Sequence, residues 1–205
     1  MKKTTTVFGL LRHAETEWNR DKRIQGNHDA PLTEGGRRAA IAWGPKLQPL
    51  HWNAIVASPL GRAVQTARHI NEHLKLPLEK GPNGLGEQDW GKWTGKRLPE
   101  LEADPSGDIA RQVTLGWRFC PPGGETREAV WKRAFGALCD MHSVYPGKKI
   151  LVVTHEGVVK ALLYRLLGRR FLPEEPAVLN KGRYLHLVSC ERRSLRIDQI
   201  NAVKL

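Results

Sequence analysis

The sequence is short of cysteine, of long apolar runs and of acidic side chains, and each shortage removes a class of protein. Its three cysteines, Cys120, Cys139 and Cys190, are odd in number and far apart. They offer neither a disulfide framework nor metal-ligand spacing, so a reducing cytoplasm is the expected setting. No apolar stretch is long enough to span a bilayer. Met1-Lys2-Lys3 begins like a secretory signal, but the apolar run that follows is broken by Arg12, too early for a signal's hydrophobic region. No internal repeat or low-complexity segment occurs. Asp and Glu number 21 against 33 Lys and Arg, a net charge of +12. From Gly157 to Leu205 ten Lys/Arg face four Asp/Glu, so half of the excess lies in the last quarter of the chain. Such a surplus attracts anions. Compact basic runs and basic-aromatic repeats of the kind used by nucleic-acid modules are missing, however. Arg192, Arg193 and Lys204 read as a solvated basic face, and neither nucleic acid nor membrane is expected as a partner.

What is present is a 205-residue chain, 40% hydrophobic and 26% charged, enough for one soluble domain over residues 1–205 with a substantial core. Val7-Phe8-Gly9-Leu10-Leu11 reads as a buried strand. It stops at Arg12-His13, and the polar stretch Ala14 to Asn19 can open a helix. Ligands of open α/β sheets bind outside the carboxyl ends of strands. An arginine there is a planar fork suited to phosphate, and a histidine can act as nucleophile, acid or base. Arg-His alone reads first as an ordinary strand end facing water.

Thr33-Glu34 reads as a helix start; the helix runs to about Leu47, with Pro49 blocking its extension. Ala54 to Pro59 is an apolar strand, and the next helix, from Leu60 to about Leu74, places Arg62 at a helix N-terminus, a natural anion site. Leu76-Pro77-Leu78 is a short edge strand. The loop from Leu85 to Gly95 carries three nearby carboxylates, Glu87, Asp89 and, beyond it, Glu100, among which spacing does not choose. Trp90 and Trp93 are expected to pack beneath it. Short helices are expected at Leu98 to Ala103 and Asp108 to Leu115, and a long one from Thr126 to about His142. Lys149 to Thr154 is the strongest strand signal. It runs into His155-Glu156-Gly157 and an apolar helix from Val158 to Leu167, closed by Gly168. Arg183 to Val188 and Leu195 to Ile200 alternate as a hairpin. Alternating strands and helices predict a three-layer α/β/α sandwich with a mostly parallel central sheet.

Five stretches together resemble the histidine phosphatase superfamily, which includes the cofactor-dependent phosphoglycerate mutases. They are Arg12-His13-Ala14-Glu15-Thr16 with Trp18-Asn19 and Arg23-Ile24-Gln25-Gly26; Ser58-Pro59-Leu60 with Arg62-Ala63 and Thr66-Ala67; the loop from Leu85 to Gly95; Pro122-Gly123-Gly124-Glu125-Thr126; and Thr154-His155. The resemblance implies a phosphoglycerate mutase-like fold, phosphorylation of His13 during turnover, Arg12 and Arg62 as phosphate clamps, and His155 as the second active-site histidine. It also implies Glu87 as proton donor, and Thr16, Asn19, Gln25 and Gly26 as substrate contacts. No metal and no other cofactor is implied. Glu156 stands where glycine is usual, and is expected to turn away from the phosphate and complement its helix.

Residues 85–124 read as an insertion covering the site. Its cations Lys92, Arg97, Arg111 and Arg118 are candidate substrate contacts, though each also reads as a solvated surface charge. Three functions compete: a phosphomonoester phosphatase acting on a small phosphorylated metabolite, a phosphoglycerate mutase, and a non-enzymatic phospholigand-binding protein. Candidate metabolites include sugar phosphates, phosphoglycerates and α-ribazole phosphate. Only 67 positions separate Glu87 from His155, a modest lid more open to water, and this favours the phosphatase as a monomer or homodimer.

Overall fold

A computed structural model describes residues 4–205. Strand β1 (Thr6–Arg12) lies inside a six-stranded sheet whose other members are β2 (Ala54–Ala57), β3 (Leu78–Lys80), β4 (Lys149–Thr154), β5 (Tyr184–Glu191) and β6 (Ser194–Lys204). The order is β3-β2-β4-β1-β5-β6. β3, β2, β4 and β1 run parallel, and β5 and β6 are added antiparallel beyond β1. Side chains on successive strand residues face opposite ways, so each central strand serves two cores. Phe8, Leu10, Val56, Ile150 and Val152 face one side, where α6 (Arg127–Val144) and α7 (Glu156–Leu166) supply Val130, Leu138, Val158 and Leu162. Leu11, Ile55, Leu151 and Val153 face the other, against Trp43 and Leu47 of α2 (Glu34–Leu47) and Ala67 and Ile70 of α3 (Gly61–Leu74). The three-layer architecture with a mostly parallel sheet follows as expected.

The helix signals act through their caps. Thr33 accepts from the Gly36 amide at 2.9 Å and Thr126 from Ala129 at 3.0 Å, each filling an orphan donor of a first turn. Pro45 sits inside α2 without ending it, and Pro49 falls in the 3₁₀ turn that follows. Several boundaries move. The strand expected at Leu76 to Leu78 lies at Leu78–Lys80, because Pro77 has no amide to donate and offers only its carbonyl, to Ile55 at 2.9 Å. α7 begins at Glu156, two residues early, with His155 as its cap. β6 runs to Lys204, past the expected Ile200. Between β3 and α6 lie only short elements, among them α4 (Leu98–Glu102) and α5 (Asp108–Val113). A separate small core of Trp93, Leu101, Ile109 and Phe119 holds them, with Ile24 and Trp90 at its margin. Among the described residues no helix is long and apolar enough to cross a membrane.

His186 marks an irregularity in β5. The β5–β6 register shifts on both sides of Leu187, and the His186 ring, 4% exposed, accepts the Asn201 amide on Nδ1 at 3.1 Å. That bond needs a neutral ring, and burial lowers its pKa to about 4 from 6.5. The unfolded chain therefore takes up a proton near pH 6.5 that the folded chain refuses until about 4, so stability falls as pH drops through that window. In urea titrations, His186→Gln and His186→Phe are expected to lose roughly 2 kcal/mol less stability than the parent between pH 7 and pH 5. An identical pH slope would show that the ring is not buried neutral.

Candidate active site

Parallel pairing aligns Arg12 with Thr154, and the His13 amide continues the ladder to the Thr154 carbonyl at 2.9 Å. The two neighbouring strands thus end together, and the next residues, His13 and His155, meet with ring centroids 5.3 Å apart. β2, on the other flank of β4, ends at Ala57, and the hydroxyl of the next residue, Ser58, lies 2.7 Å from His155 Nε2. The histidines are 142 positions apart in sequence, and strand adjacency alone brings them to one place.

Arg62 enters from the first turn of α3. Asp29 caps that helix, accepting the Gly61 and Arg62 amides, and also pairs with the Arg62 guanidinium at 3.3 Å. The Arg62 side chain is buried. Its Nη1 donates to the His28 carbonyl at 2.7 Å, its Nη2 to the Gly26 carbonyl at 2.8 Å, and its Nε to His13 Nε2 at 3.3 Å. Gly26 has a φ of +52°, which glycine adopts without strain.

These contacts settle the state of His13. Its Nδ1 lies 2.7 Å from the Ala14 carbonyl, which can only accept, so Nδ1 carries the proton. Nε2 then holds a lone pair and accepts from Arg62. Burial lowers the His13 pKa well below its ordinary value, and the charges of Arg12 and Arg62 lower it further. His155 is lowered in the same way, by burial first and then by His13, Arg62 and Arg12. Both rings are neutral at pH 7, and His13 offers a bare nitrogen among cations.

Glu87 faces the same cavity, which holds about 400 Å³ and is lined by Arg12, His13, Asn19, Gln25, Gly26 and Arg62 as well. Its carboxyl accepts the Gln88 amide at 2.8 Å and lies 3.4 Å from the Gly157 amide in the first turn of α7. A side chain at Gly157 would run into that carboxyl. Burial is the largest influence on Glu87 and raises its pKa, outweighing the nearby amides and arginines. The position of Glu87 rests on Arg133, a residue the sequence did not single out. Arg133 donates to the carbonyls of Gly84, Gly86 and Glu87 at 2.7–2.9 Å and is paired with Glu125. The rival carboxylates are engaged elsewhere: Asp89 accepts the Gly91 amide and Glu100 the Arg97 amide. Neither lines this cavity.

Other expected contacts separate into two groups. Asn19, Gln25 and Gly26 lie on the cavity wall. Thr16 does not: it is buried as the cap of α1 (Glu17–Arg20) and exchanges hydrogen bonds with Asn19, so it positions Asn19 instead of facing the cavity. Lys92, Arg97, Arg111 and Arg118 are also absent from the wall, and Arg111 pairs with Asp108. Three further cations do line it: Arg23 belongs to the Arg23-Ile24-Gln25-Gly26 stretch of the resemblance but was given no role, and Arg127 and Lys160 gave no signal beyond ordinary surface charge in sequence. Arg183, just before β5, donates to the His13 carbonyl at 3.3 Å.

Glu156 departs from expectation. It does not turn away: it lines the cavity and forms an ion pair with Arg12 and another with Lys160, one turn along α7, at 2.6 Å. Burial acts to raise its pKa, but Arg12 and then Lys160 prevail and hold it at about 2. Among the described residues three buried side-chain polar atoms lack a partner: Arg12 Nε, His155 Nδ1 and Gln25 Oε1. Unsatisfied groups of this kind are uncommon, and all three belong to this constellation. Among the described residues no three His, Cys, Asp or Glu side chains gather as a metal ion would require. A cluster of arginines, a neutral imidazole and a raised carboxyl suit capture of an oxyanion and proton transfer to it.

Comparison with known proteins gives the same direction. A family model described as histidine phosphatase superfamily (branch 1) matches residues 8–199. The chain is 36% identical over 163 residues to the protein of Bacillus subtilis named uncharacterized phosphatase PhoE, covering 80% of this chain and 78% of that protein. It is 34% identical over 163 residues to a Cronobacter sakazakii protein named "Probable phosphoglycerate mutase GpmB", covering 78% and 74%. Among solved structures, a mycobacterial glucosyl-3-phosphoglycerate phosphatase in complex with VO3 superimposes with a TM-score of 0.80 at 28% identity, over 98% of this chain and all of that one.

Glu156 already occupies Arg12, so an incoming phosphate must displace it or share the guanidinium beside a fixed negative charge. Glu156→Gln is expected to tighten orthophosphate binding by roughly threefold to tenfold, the effect of one unit charge at close range in a partly screened site. Phosphate inhibition constants and phosphate-dependent thermal shifts check this. Weaker binding would mean that Glu156 serves only to hold Arg12 in place.

Proposed function

The chain belongs to the histidine phosphatase superfamily, and from that membership and the geometry of its cavity we propose that it is a phosphomonoester phosphatase acting on a small anionic metabolite through a phosphohistidine. The observation that carries the reading is the meeting in one cavity of His13, whose Nδ1 donates to the Ala14 carbonyl while Nε2 accepts from Arg62, and Glu87, a carboxyl whose pKa burial raises. The first suits a nucleophile and the second a proton donor.

In this scheme His13 Nε2 attacks phosphorus in line with the departing oxygen. Arg12, Arg62 and His155 bear the charge that spreads over the phosphoryl oxygens. As the bond to the leaving alkoxide breaks, Glu87 gives it a proton. The resulting carboxylate takes a proton from water as that water attacks phosphohistidine, which returns neutral His13, protonated Glu87 and orthophosphate. Asn19 and Gln25 orient the substrate from the wall. Residues 85–124 close over the cavity as a lid within one functional unit, and Trp90 and Trp93 anchor it. The limited reach of that lid supports release of the phosphoryl group to water.

Rapid quench with ³²P-labelled substrate is expected to trap an acid-labile, base-stable phosphoenzyme. His13→Ala should lose it together with several orders of magnitude in turnover. Normal turnover in His13→Ala would overturn the scheme, and label appearing on a second hydroxyl of the substrate with little free phosphate would identify a mutase. For Glu87→Gln, alkyl phosphates should lose far more rate than p-nitrophenyl phosphate, whose leaving group needs little protonation. Equal loss on both would transfer the proton-donor role to another group.

A further inference from the structure

The cavity extends beyond the phosphate end. Ile24, Trp90, Leu98 and Phe171 give it an apolar wall, and Arg23, Arg127 and Lys160 line it as well. Lys160 is paired with Glu156, and Arg23 donates Nη1 to the Gly95 carbonyl at 2.9 Å. Arg127 differs from both. Its guanidinium lies between the rings of Phe119 and Phe171, 4.2 Å from each centroid. Nη1 donates to the carbonyls of Phe171 at 3.0 Å and Gly116 at 3.3 Å. Among the described residues no carboxylate stands within ion-pair distance of it, and neither Nε nor Nη2 has a partner; neither is sealed from solvent. With two rings packed against the guanidinium and Nη1 spent on carbonyls, the Nε–Nη2 edge remains. That edge is a rigid pair of parallel N–H donors, the arrangement that grips a planar carboxylate with two hydrogen bonds. The two rings and the two carbonyls hold the guanidinium beforehand, so little side-chain entropy is lost on binding.

We propose that Arg127 forms a second anion subsite in this cavity, and that the substrate is a phosphomonoester with an apolar or aromatic body ending in a carboxylate. The proposal rests on the phosphatase reading for the placement of the phosphoryl group, and extends it to the other end of the substrate. Burial lowers the Arg127 pKa to about 10, which leaves the group charged at neutral pH, and no protein carboxylate offsets that charge. A bound carboxylate would supply the missing partner.

The test uses isosteric pairs that differ only in charge: 4-carboxyphenyl phosphate against 4-carbamoylphenyl phosphate, and 6-(phosphonooxy)hexanoate against its amide. The parent enzyme should show a kcat/KM preference for the carboxylate in at least one pair. Arg127→Gln should erase roughly tenfold to hundredfold of it, mainly through KM, with a much smaller change for the amide. Arg127→Lys should retain part of the preference. Arg127 also joins the turn at Gly116 to the loop at Phe171, so a purely structural role would depress both members of a pair equally, and that result would overturn the proposal. Absence of any preference in the parent would overturn it as well. Calorimetric binding of the same pairs to the His13→Ala protein, with and without Arg127→Gln, separates the two readings. A preference in binding that depends on Arg127, without turnover in the parent, would sustain the subsite and reject the phosphatase.

Discussion

The site depends on keeping an imidazole uncharged among guanidinium groups. Neutral His13 is possible because burial and two neighbouring arginines both oppose its protonation, and because the Ala14 carbonyl fixes which nitrogen carries the hydrogen. Those arginines stay buried or half-buried only through fixed acceptors. Arg62 alone takes carbonyls from Gly26 and His28 and the carboxylate of Asp29. Removing an acceptor would strand a buried charge, which is costly. The loop from Gly26 to Asp29 therefore helps to set the surroundings of His13 through Arg62, without any of its carbonyls bonding to the ring.

The sheet supplies the rest of the constraint. β1 and β4 are adjacent and parallel, so their carboxyl ends coincide and two short polar sequences become one constellation. The antiparallel strands lie on the far side of β1 and complete the second core through Leu185 without reaching the strand-end cluster by pairing. Glu87 comes from outside the sheet altogether. It is fixed from two directions, by the start of α7 through Gly157 and by Arg133 from α6. The cavity draws on both faces of the sandwich, α3 from one layer and α6 and α7 from the other.

Arg12, His13, Arg62 and His155 stand at strand ends or at a helix start, so their place in the fold could be read from the apolar runs beside them, but such positions also suit ordinary surface or packing residues, and it was the resemblance of the surrounding motifs that singled these four out. Thr16 was misread because a cap and a ligand contact look alike in sequence; only the Asn19 amide in front of its hydroxyl tells them apart. Arg127, Arg133 and Lys160 stand on amphipathic helices among other charges, where a solvated role is the default. Their importance is set by Phe119, Phe171, Glu125 and Glu156, three of them beyond one helical turn. His186 was hidden for the opposite reason: in an alternating strand it passes for ordinary core, and its neutral state follows from a register shift that no local pattern announces. The direction of Glu156 was decided by Arg12, 144 positions earlier.

The bond between Arg12 and Glu156 gives the resting cavity a resident counter-ion. A guanidinium left bare at a strand end would collect chloride, bicarbonate or sulfate from the surrounding medium, and each catalytic encounter would begin with their expulsion. A tethered carboxylate holds that place at an effective concentration no dilute salt matches, and its low pKa keeps it there across the whole physiological range. Monovalent ions that offer Arg12 less than Glu156 does are turned away. A visitor displaces the tether only by bringing more charge, or a better fork, than the protein already provides.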